Sequence, residues 1–383
     1  MRVEPSRFTS GPAHHFFGYY GINVWDRSGR HHLALETDFH RRPPTPEDRA
    51  RVGLVDTESG SFAALAETGA FNLQQGSMLH WIDAGHGDEL TYNVWHGGRV
   101  VSHARALHGG ATRTLEAPVA AVTADGRAAL GLNYARMYHC RSVVGYANAI
   151  DPDTLPLAPE DDGLYRIDLP SGRADLLVSH AEVIRAAALP EPPTGLVWFN
   201  HVMFNTDGSR VMFLCRMRRP GDRGLRTSLW TVRPDGSELS QQIGFEHKIS
   251  HFAWPDPDHL LISTDLLGTM QFLTFTVDRG DFTPFGGGVL PADGHACFSP
   301  DGRWLACDTY PQGSERISQL MLYEMATGRR VDIGGMYSEP VFTGDVRCDL
   351  HPRWHPDGHS LTIDAVPAGH RQIYQYDVSS IVG

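Results

Sequence analysis

Four histidines recur at one position of a repeated pattern, three residues before the aromatic residue that opens a turn. They are His201 in HVMF, His251 in HFAW, His295 in HACF and His351 in HPRW. In a repeat fold, residues that share a register converge on one axis, and imidazole is a nitrogen ligand that suits Zn, Mn, Fe or Ni. We therefore expect a divalent metal, Zn or Mn, bound by at least three of them. The alternative is that each imidazole bonds to neighbouring backbone and is structural.

Two further residues could complete such a metal site. Asp349 stands close to the last of these histidines in the sequence. Cys215 lies across a predicted hairpin turn, and antiparallel pairing places it beside Asn200 and His201. A thiolate near imidazoles favours zinc. The alternative for Cys215 is a small, buried hydrophobic residue.

Arginines are concentrated in two segments of an acidic chain. The chain has 33 Lys and Arg against 45 Asp and Glu, a formal charge of −12. The segment RMRRPGDRGLRTS nevertheless contains Arg216, Arg218, Arg219, Arg223 and Arg226. An earlier segment contributes Arg136 and Arg141. Such a rim predicts an anionic ligand, carboxylate or sulfate, held by forked contacts. The alternative is an exposed loop that forms surface ion pairs.

A third group has the residue types that proton transfer needs. It comprises His80, His96, Tyr134, Arg141 and Tyr146. Abstraction of a proton next to a carboxylate requires a cation, a base and an acid, and Arg, His and Tyr supply these. We predict His80, His96, Tyr134 and Arg141 as catalytic residues and Tyr146 as a substrate contact. Ordinary loop packing is the alternative for each of them.

The composition limits the class of protein. Of the 383 residues, 41% are hydrophobic and 20% are charged, which is typical of a globular chain with a large core. The net negative charge argues against a general nucleic-acid binder. No apolar h-region and no run of about 18 apolar residues occurs, so we expect neither a secretory signal nor a membrane helix. The five widely spaced cysteines, without a CxxC pair, predict free thiols and a cytoplasmic location.

A two-hairpin pattern recurs seven times along the chain. Each copy opens with an aromatic or aliphatic residue, turns, and continues into an apolar strand, as in WDRSGRHHLALE, FNTDGSRVMFLC and WHPDGHSLTID. A second hairpin follows, and Asp-Gly, Ser-Gly and Thr-Gly pairs supply the turns. Seven copies of a four-stranded antiparallel unit predict an all-β, seven-bladed β-propeller. A pair of β-sandwiches would give no reason for seven ordered copies.

The repeats predict one domain, residues 1–383. Its blades lie near residues 14–70, 71–118, 119–180, 196–245, 246–288, 289–335 and 346–383. The seventh blade lacks a fourth strand, so we expect the N-terminal segment, Arg2 to Phe8, to cover that edge and close the ring. The loops between second and third strands are long, which predicts a functional site on their face. The longest of these loops is Tyr134–Asp162.

The motifs FSPDGRW and HPRWHPDG, together with inner-strand histidines on successive blades, resemble the propellers of oligogalacturonate lyases and ulvan lyases, with TolB-type repeats. The resemblance covers most of residues 14–383. It implies β-elimination at a uronic acid, with a metal held by inner-strand histidines. In oligogalacturonate lyases the metal assists catalysis. In one group of ulvan lyases a zinc is mainly structural, and His, Tyr and Arg perform the chemistry.

The two lyase groups imply different sites. Oligogalacturonate lyases use a metal-binding glutamine, whereas Asp349 stands beside His351 in this sequence. The His80, His96, Tyr134 and Arg141 group is more similar to the ulvan-lyase arrangement. The choice between a catalytic and a structural metal therefore stays open.

From these residues we predict a lyase that cleaves a uronic-acid-containing oligo- or polysaccharide, an anionic partner, with a His-bound axial metal. Two other classes stay open. One is a non-catalytic propeller that binds a glycan or a protein partner. The other is a glycosidase, whose paired carboxylates the sequence does not place. No G-x-S-x-G elbow, P-loop or dinucleotide fingerprint occurs, which disfavours a propeller peptidase.

Overall fold

The structure is a computed structural model that describes residues 3–82, 88–218 and 224–383. It contains seven four-stranded antiparallel sheets arranged as a seven-bladed β-propeller, which confirms the predicted fold class. Each sheet follows the previous one in the sequence, and its four strands pair in chain order, apart from the closing strand. The strands of each blade lie inside the predicted limits of that blade, except that β25 extends two residues beyond its limit, to Tyr337. Among the described residues, no helix is long and apolar enough to cross a membrane.

The strands of the first four blades begin and end as follows. They are β1 (Ser6–Arg7), which belongs to blade 7; β2 (His14–Phe16), β3 (His31–Thr37), β4 (Ala50–Asp56) and β5 (Phe62–Thr68); β6 (His80–Trp81), β7 (Glu89–His96), β8 (Arg99–Ala106) and β9 (Thr112–Leu115); β10 (Val119–Val122), β11 (Ala128–Gly131), β12 (Gly163–Asp168) and β13 (Ala174–Ser179); β14 (Val197–Phe204), β15 (Val211–Met217), β16 (Arg226–Val232) and β17 (Ser240–Ile243).

The remaining blades and the helices complete the chain. The strands are β18 (Ile249–Ala253), β19 (His259–Thr264), β20 (Gln271–Thr276) and β21 (Asp281–Pro284); β22 (Cys297–Phe298), β23 (Trp304–Asp308), β24 (Ile317–Glu324) and β25 (Arg330–Tyr337); β26 (Arg353–Trp354), β27 (Ser360–Ala365) and β28 (Gln372–Asp377). The helices are α1 (Tyr134–Cys140), α2 (His180–Ala187) and α3 (Ser379–Val382), with 3₁₀ turns at Ser142–Val144, Pro152–Thr154 and Gly344–Val346.

The N-terminal segment closes the ring. Strand β1 pairs antiparallel with β28, with Ser6 opposite Gln375 and Arg7 opposite Tyr374. This contact supplies the fourth strand of blade 7, as predicted. The two ends of the chain thereby hold each other, and the outer edge of that sheet is covered.

Turn chemistry and blade-to-blade packing explain the fold. In the blade 7 hairpin, Gly358 has φ of 74° and its N–H donates to His355 O at 2.9 Å. A positive φ of this kind costs glycine little, and the repeated Asp-Gly pairs therefore fix the turns. Apolar side chains of adjacent blades pack together, as Leu322 of blade 6 and Ile363 of blade 7 do. Burial of each such side chain contributes about 1.5–3 kcal/mol to the stability of the fold.

The inner strands are distorted where they carry histidines. His201 has φ of 51° and His351 has φ of 48°, the left-handed region that non-glycine residues rarely adopt. In β14 the register shifts between Asn200 and Met203, which is a β-bulge. Bulges re-aim side chains and occur next to functional sites. The irregular backbone turns these imidazoles toward one pocket.

Candidate active site

One pocket lies at the axis, on the face that carries the long loops. Inner strands and their flanking residues supply its floor, and loops between and within blades supply its walls. It is lined by Tyr19, Gln74, Gln75, Arg141, Val143, Val144, His201, Arg216, Ser250, His251, His295, Tyr310, Arg347, Asp349 and His351. All four histidines that share the repeat register lie in it, together with Arg141 and Arg216. We call it the axial pocket.

Three residues of this pocket form a group that suits a metal ion. Ligand atoms of His295, Asp349 and His351 all lie within 4.8 Å of one another, and the three residues are buried. Two imidazoles and one carboxylate match the donors that Zn, Mn or Fe take in proteins. The donor set therefore fits a divalent cation. Within the described residues, this group is the one set of three that does so.

A buried carboxylate orients two members of the group. Asp308 is 1% exposed. Its Oδ1 accepts from the His295 backbone N–H at 2.7 Å and lies 2.9 Å from His295 Nδ1, and its Oδ2 accepts from the His351 N–H at 3.1 Å. Burial opposes the positive charge of His295, but Asp308, Asp349 and Asp293 outweigh it and raise its pKa. An engaged Nδ1 leaves Nε2 as the atom of His295 that is available to a metal.

Asp349 is held in place by an arginine. Arg347 Nε and Nη2 donate to the two oxygens of Asp349 at 2.6 and 2.7 Å, a forked ion pair. The guanidinium also stacks over the Tyr310 ring, 4.6 Å from its centroid. Burial opposes ionisation of Asp349, but Arg347 outweighs burial and lowers its pKa. Asp349 is therefore ionised at neutral pH, as a metal ligand must be.

The other two register histidines have partners of a different kind. His251 Nδ1 lies 2.8 Å from Asp293 Oδ1, and its Nε2 lies 3.3 Å from the Tyr310 hydroxyl. His201 Nδ1 contacts the Tyr19 hydroxyl. Burial, and in second place the charge of His295, lower the pKa of His251, so it is neutral at neutral pH. A neutral imidazole between a carboxylate and a phenol is placed for acid–base chemistry.

Arg141 and Arg216 supply positive charge that the protein itself does not neutralise. In the described part of the chain, neither forms an ion pair with a carboxylate. Arg216 is 4% exposed, and no described atom accepts a hydrogen bond from its Nε and Nη1. Burial and the nearby charge of Arg141 lower the pKa of Arg216 to about 9, so it remains charged at neutral pH. Burial of an unpaired guanidinium lowers the stability of the folded protein, and an anionic ligand would offset that loss.

The structure places the remaining predicted catalytic residues outside the axial pocket. His80 is buried in blade 2, where its Nδ1 accepts from the Asn23 N–H at 3.1 Å. His96 ends β7 in an exposed hairpin turn. Tyr134 is buried and stacks on Tyr146, with ring centroids 4.5 Å apart. His80, His96 and Tyr134 are therefore not among the residues that line the axial pocket, contrary to the prediction that they lie near its mouth.

Arg136 and Arg218, which were predicted to bind substrate, are not among the residues that line the axial pocket. Arg136 is buried and donates to the carbonyls of Val197, Pro156 and Leu157 at 2.6–2.8 Å, which ties loop to blade. Arg218 is exposed beyond the end of β15. Arg219 and Arg223 lie outside the described residues.

The structure corrects the strand register that was predicted for Cys215. It pairs with Phe199, not with Asn200, and its side chain belongs to the hydrophobic core. Burial raises the pKa of its thiol. All five cysteines, each within the described residues, are free thiols, as expected.

Several pocket residues were not among those predicted. Tyr19 follows the short strand β2, and Tyr310 begins the long loop of blade 6. Gln74 and Gln75 lie in the connection from blade 1 to blade 2, and Gln74 donates to the Arg347 carbonyl. The one sequence signal for Tyr310 was its place at the start of a long second-to-third loop. Tyr19 carried no comparable signal.

Comparisons with known proteins show relatives by structure alone. No protein-family model matches the sequence, and no curated protein matches it. Among solved structures, an oligogalacturonate lyase in complex with manganese is similar, with a TM-score of 0.67 and 16% identity over 99% of this chain and 97% of that one. An oligogalacturonate lyase from Vibrio parahaemolyticus has a TM-score of 0.68 and 14% identity over 98% of this chain and 94% of that one.

A hydrolase is similar over part of its own length. Puromycin hydrolase has a TM-score of 0.54 and 14% identity, and this chain covers 56% of it. The likeness to the oligogalacturonate lyases extends over nearly the full length of both chains. The resemblance that the sequence motifs indicated is therefore confirmed at the level of the fold, a seven-bladed propeller.

Proposed function

We propose that this protein is a lyase that cleaves an acidic oligosaccharide by β-elimination next to a uronate carboxylate. The observation that carries the proposal is the pair of unpaired arginines, Arg141 and Arg216, in one buried pocket with the metal group and a neutral histidine. Similarity to oligogalacturonate lyases over nearly the whole chain supports the same reaction class.

Two arginines would bind the carboxylate of the substrate. Its negative charge increases as the C5 proton leaves, because the electrons of that C–H bond spread onto the carboxylate. Arg216 is buried and Arg141 is half-buried in the axial pocket, where charges act more strongly than in bulk water. Removal of one preorganised contact of this kind typically costs about 3–4 kcal/mol.

His251 and Tyr310 would carry the proton. His251 takes the C5 proton, the C4–C5 double bond forms, and the C4–O4 bond breaks. Tyr310 donates its hydroxyl proton to O4, and His251 then returns a proton to Tyr310 across the contact that joins them. Asp293 holds His251 in the required orientation through its Nδ1. The net result is transfer of one proton from C5 to O4.

His295, Asp349 and His351 would hold the divalent cation, Mn or Zn. A cation bound there supplies positive charge that stabilises the carboxylate as its charge increases. Asp308 and Arg347 keep two of these ligands in place. These residues perform no proton transfer in the proposed reaction.

The proposal is tested with a panel of uronate oligosaccharides and the ultraviolet absorbance of the unsaturated uronate that β-elimination produces. We expect absorbance to rise with wild-type protein loaded with Mn or Zn, and Tyr310→Phe to lower kcat by about 10²-fold or more. The matched control is Tyr323→Phe, a tyrosine of β24 away from the pocket. Binding of uronates without any unsaturated product would favour the non-catalytic glycan-binding propeller instead.

A further inference from the structure

A second cavity lies at the face of the propeller opposite the axial pocket. It measures about 420 Å³ and lies among the tight hairpin turns of blades 1, 6 and 7. The same inner segments serve both cavities: His295 and His351 line the axial pocket, whereas Cys297 and Arg353, two residues later, line this cavity. Its volume falls within the range of small-molecule sites. We call it the lower cavity.

Arg353 is one of three charged residues that line the lower cavity, with Asp26 and Arg27. Its Nη1 lies 3.2 Å from Cys297 Sγ. Its Nε and Nη2 are buried, and they have no hydrogen-bond partner among the described residues. These two nitrogens form the fork that binds carboxylates in this protein, as Arg347 binds Asp349. Arg353 forms no ion pair with any carboxylate of residues 3–82, 88–218 and 224–383.

Other buried arginines of the protein show what a structural role looks like. Arg136 donates to three backbone carbonyls, and so does Arg371, which contacts Leu73, Val346 and Arg347. Arg353 resembles Arg216 instead, because both leave two buried nitrogens without a partner and both line a cavity. An unsatisfied buried donor is costly, and the cost is greater for a charged group.

The walls of the lower cavity indicate the rest of the ligand. Trp25 and Trp354 line it, and the Trp25 indole N–H is a further buried donor for which the described residues offer no acceptor. Asp26, the one carboxylate of the lining, is already engaged by Ser28 and His31. The unpaired donors suit an anionic group, and the aromatic rings suit an apolar carbon framework attached to it. Because Nε and Nη2 of Arg353 are buried, its guanidinium must turn toward the cavity to bind a carboxylate.

We propose that the lower cavity binds a small organic carboxylate, of about the size of one sugar ring, with its carboxylate on Arg353 and its body between the tryptophans. This site is separate from the axial pocket and does not depend on the proposed lyase activity. A sugar acid and a carbocyclic acid have the same recognisable chemistry, and the experiment separates them.

Cys297 gives a direct measure of occupancy. It lines the cavity and is partly exposed, whereas the other four cysteines are buried. The rate of iodoacetamide alkylation at Cys297 in the wild-type protein, followed by peptide mass spectrometry, is compared with and without galacturonate, cyclohexanecarboxylate or neutral galactose. A carboxylate that binds should slow alkylation about tenfold at about ten times its Kd. Protection by galacturonate alone identifies a sugar-acid site, and protection by both acids identifies a general carboxylate site.

Two variants locate the effect. Arg353→Gln should abolish protection, and Arg216→Gln, which alters only the axial pocket, should retain it. Equal protection by galactose, no protection by either acid at about 10 mM, or protection that is lost in Arg216→Gln would each overturn the proposal. The comparison of acids with galactose uses wild-type protein, so it decides the matter even if Arg353→Gln fails to fold.

Discussion

Asp308→Asn is the substitution that tests the metal group most sharply. One carboxylate contacts both His295 and the backbone of His351. Asparagine keeps one acceptor oxygen, but an NH2 group replaces the other oxygen. That NH2 group is a donor, and it would face the backbone N–H or ring nitrogen that now bonds to the carboxylate, so the hydrogen bond at that position is lost. His295 then loses its fixed orientation, or the His351 backbone loses its partner. Neither ligand is removed, so any change in metal affinity comes from their positioning.

The expected size follows from this geometry. Loss of a partner that orients a metal ligand typically lowers metal affinity 10–100-fold. That range corresponds to about 1.4–2.7 kcal/mol of binding free energy. We expect Asp308→Asn to fall within it, because the contacts at 2.7 and 2.9 Å to His295 are short and Asp308 is 1% exposed.

The assay is a Mn²⁺ or Zn²⁺ titration of metal-stripped protein in competition with a chromogenic chelator. The matched control is Asp293→Asn, the same change in the carboxylate that contacts His251. We expect this control to keep its metal affinity and to lose kcat. Equal affinity of Asp308→Asn and wild type would refute the reasoning. A drop in Asp293→Asn of the same size would show that His251 also binds the metal, as the sequence pattern predicts.

Three more outcomes are expected. Arg216→Gln should lower kcat/KM on a uronate substrate at least about 100-fold, roughly 3 kcal/mol, with Arg218→Gln, an exposed neighbour, near wild type. Arg136→Met should lower the free energy of unfolding by several kcal/mol, on the order of 3, because three carbonyls lose their donor; calorimetry checks it, and an unchanged Tm would contradict it. Burial raises the pKa of Asp364 to about 7 despite its bonds from the Phe17 and Gly18 N–H groups and the nearby Arg371. The native state therefore keeps a proton that the unfolded chain loses, and Asp364 should cost stability as pH rises from about 4 to 7, by up to about 4 kcal/mol; denaturant unfolding at several pH values should show a flatter profile for Asp364→Asn.

The fold was predictable because each blade is encoded locally. Turn pairs such as Asp357-Gly358 fix the hairpins, and apolar alternation fixes which side of each strand is buried. The strands therefore lie inside the predicted blades, apart from the last two residues of β25. The missing fourth strand of blade 7 was likewise predictable, since an uncovered edge requires a partner.

The error at Cys215 has a local physical cause. Counting back from the turn pairs Phe204 with Val211, which the structure shows, and by extension pairs Asn200 with Cys215. The bulge between Asn200 and Met203 adds one residue, so Cys215 pairs with Phe199 instead. A shift of one residue moves a side chain to the other face of a sheet. The bulge lies at His201 and Val202, and neither residue type signals a bulge in a sequence.

The residues predicted for proton transfer missed the pocket for a different reason. A sequence places a residue on a strand or loop, but it does not say how deep in the channel that residue lies. His80 is on an inner strand, as the register histidines are, yet it bonds to Asn23 in the interior of blade 2. The long loop of blade 3 brings Arg141 to the pocket and folds Tyr134 away from it.

The arginines show most clearly what geometry adds to sequence. Arg136, Arg216 and Arg371 are buried and Arg353 is half-buried, and the residue type alone does not distinguish them. Carbonyls surround Arg136 and Arg371, so those side chains hold loops to blades. Arg216 and Arg353 leave donors without a partner in the described protein and line two separate cavities, one at each face. Since a buried charge persists only where something offsets its desolvation, these two positions identify where anions are expected to bind.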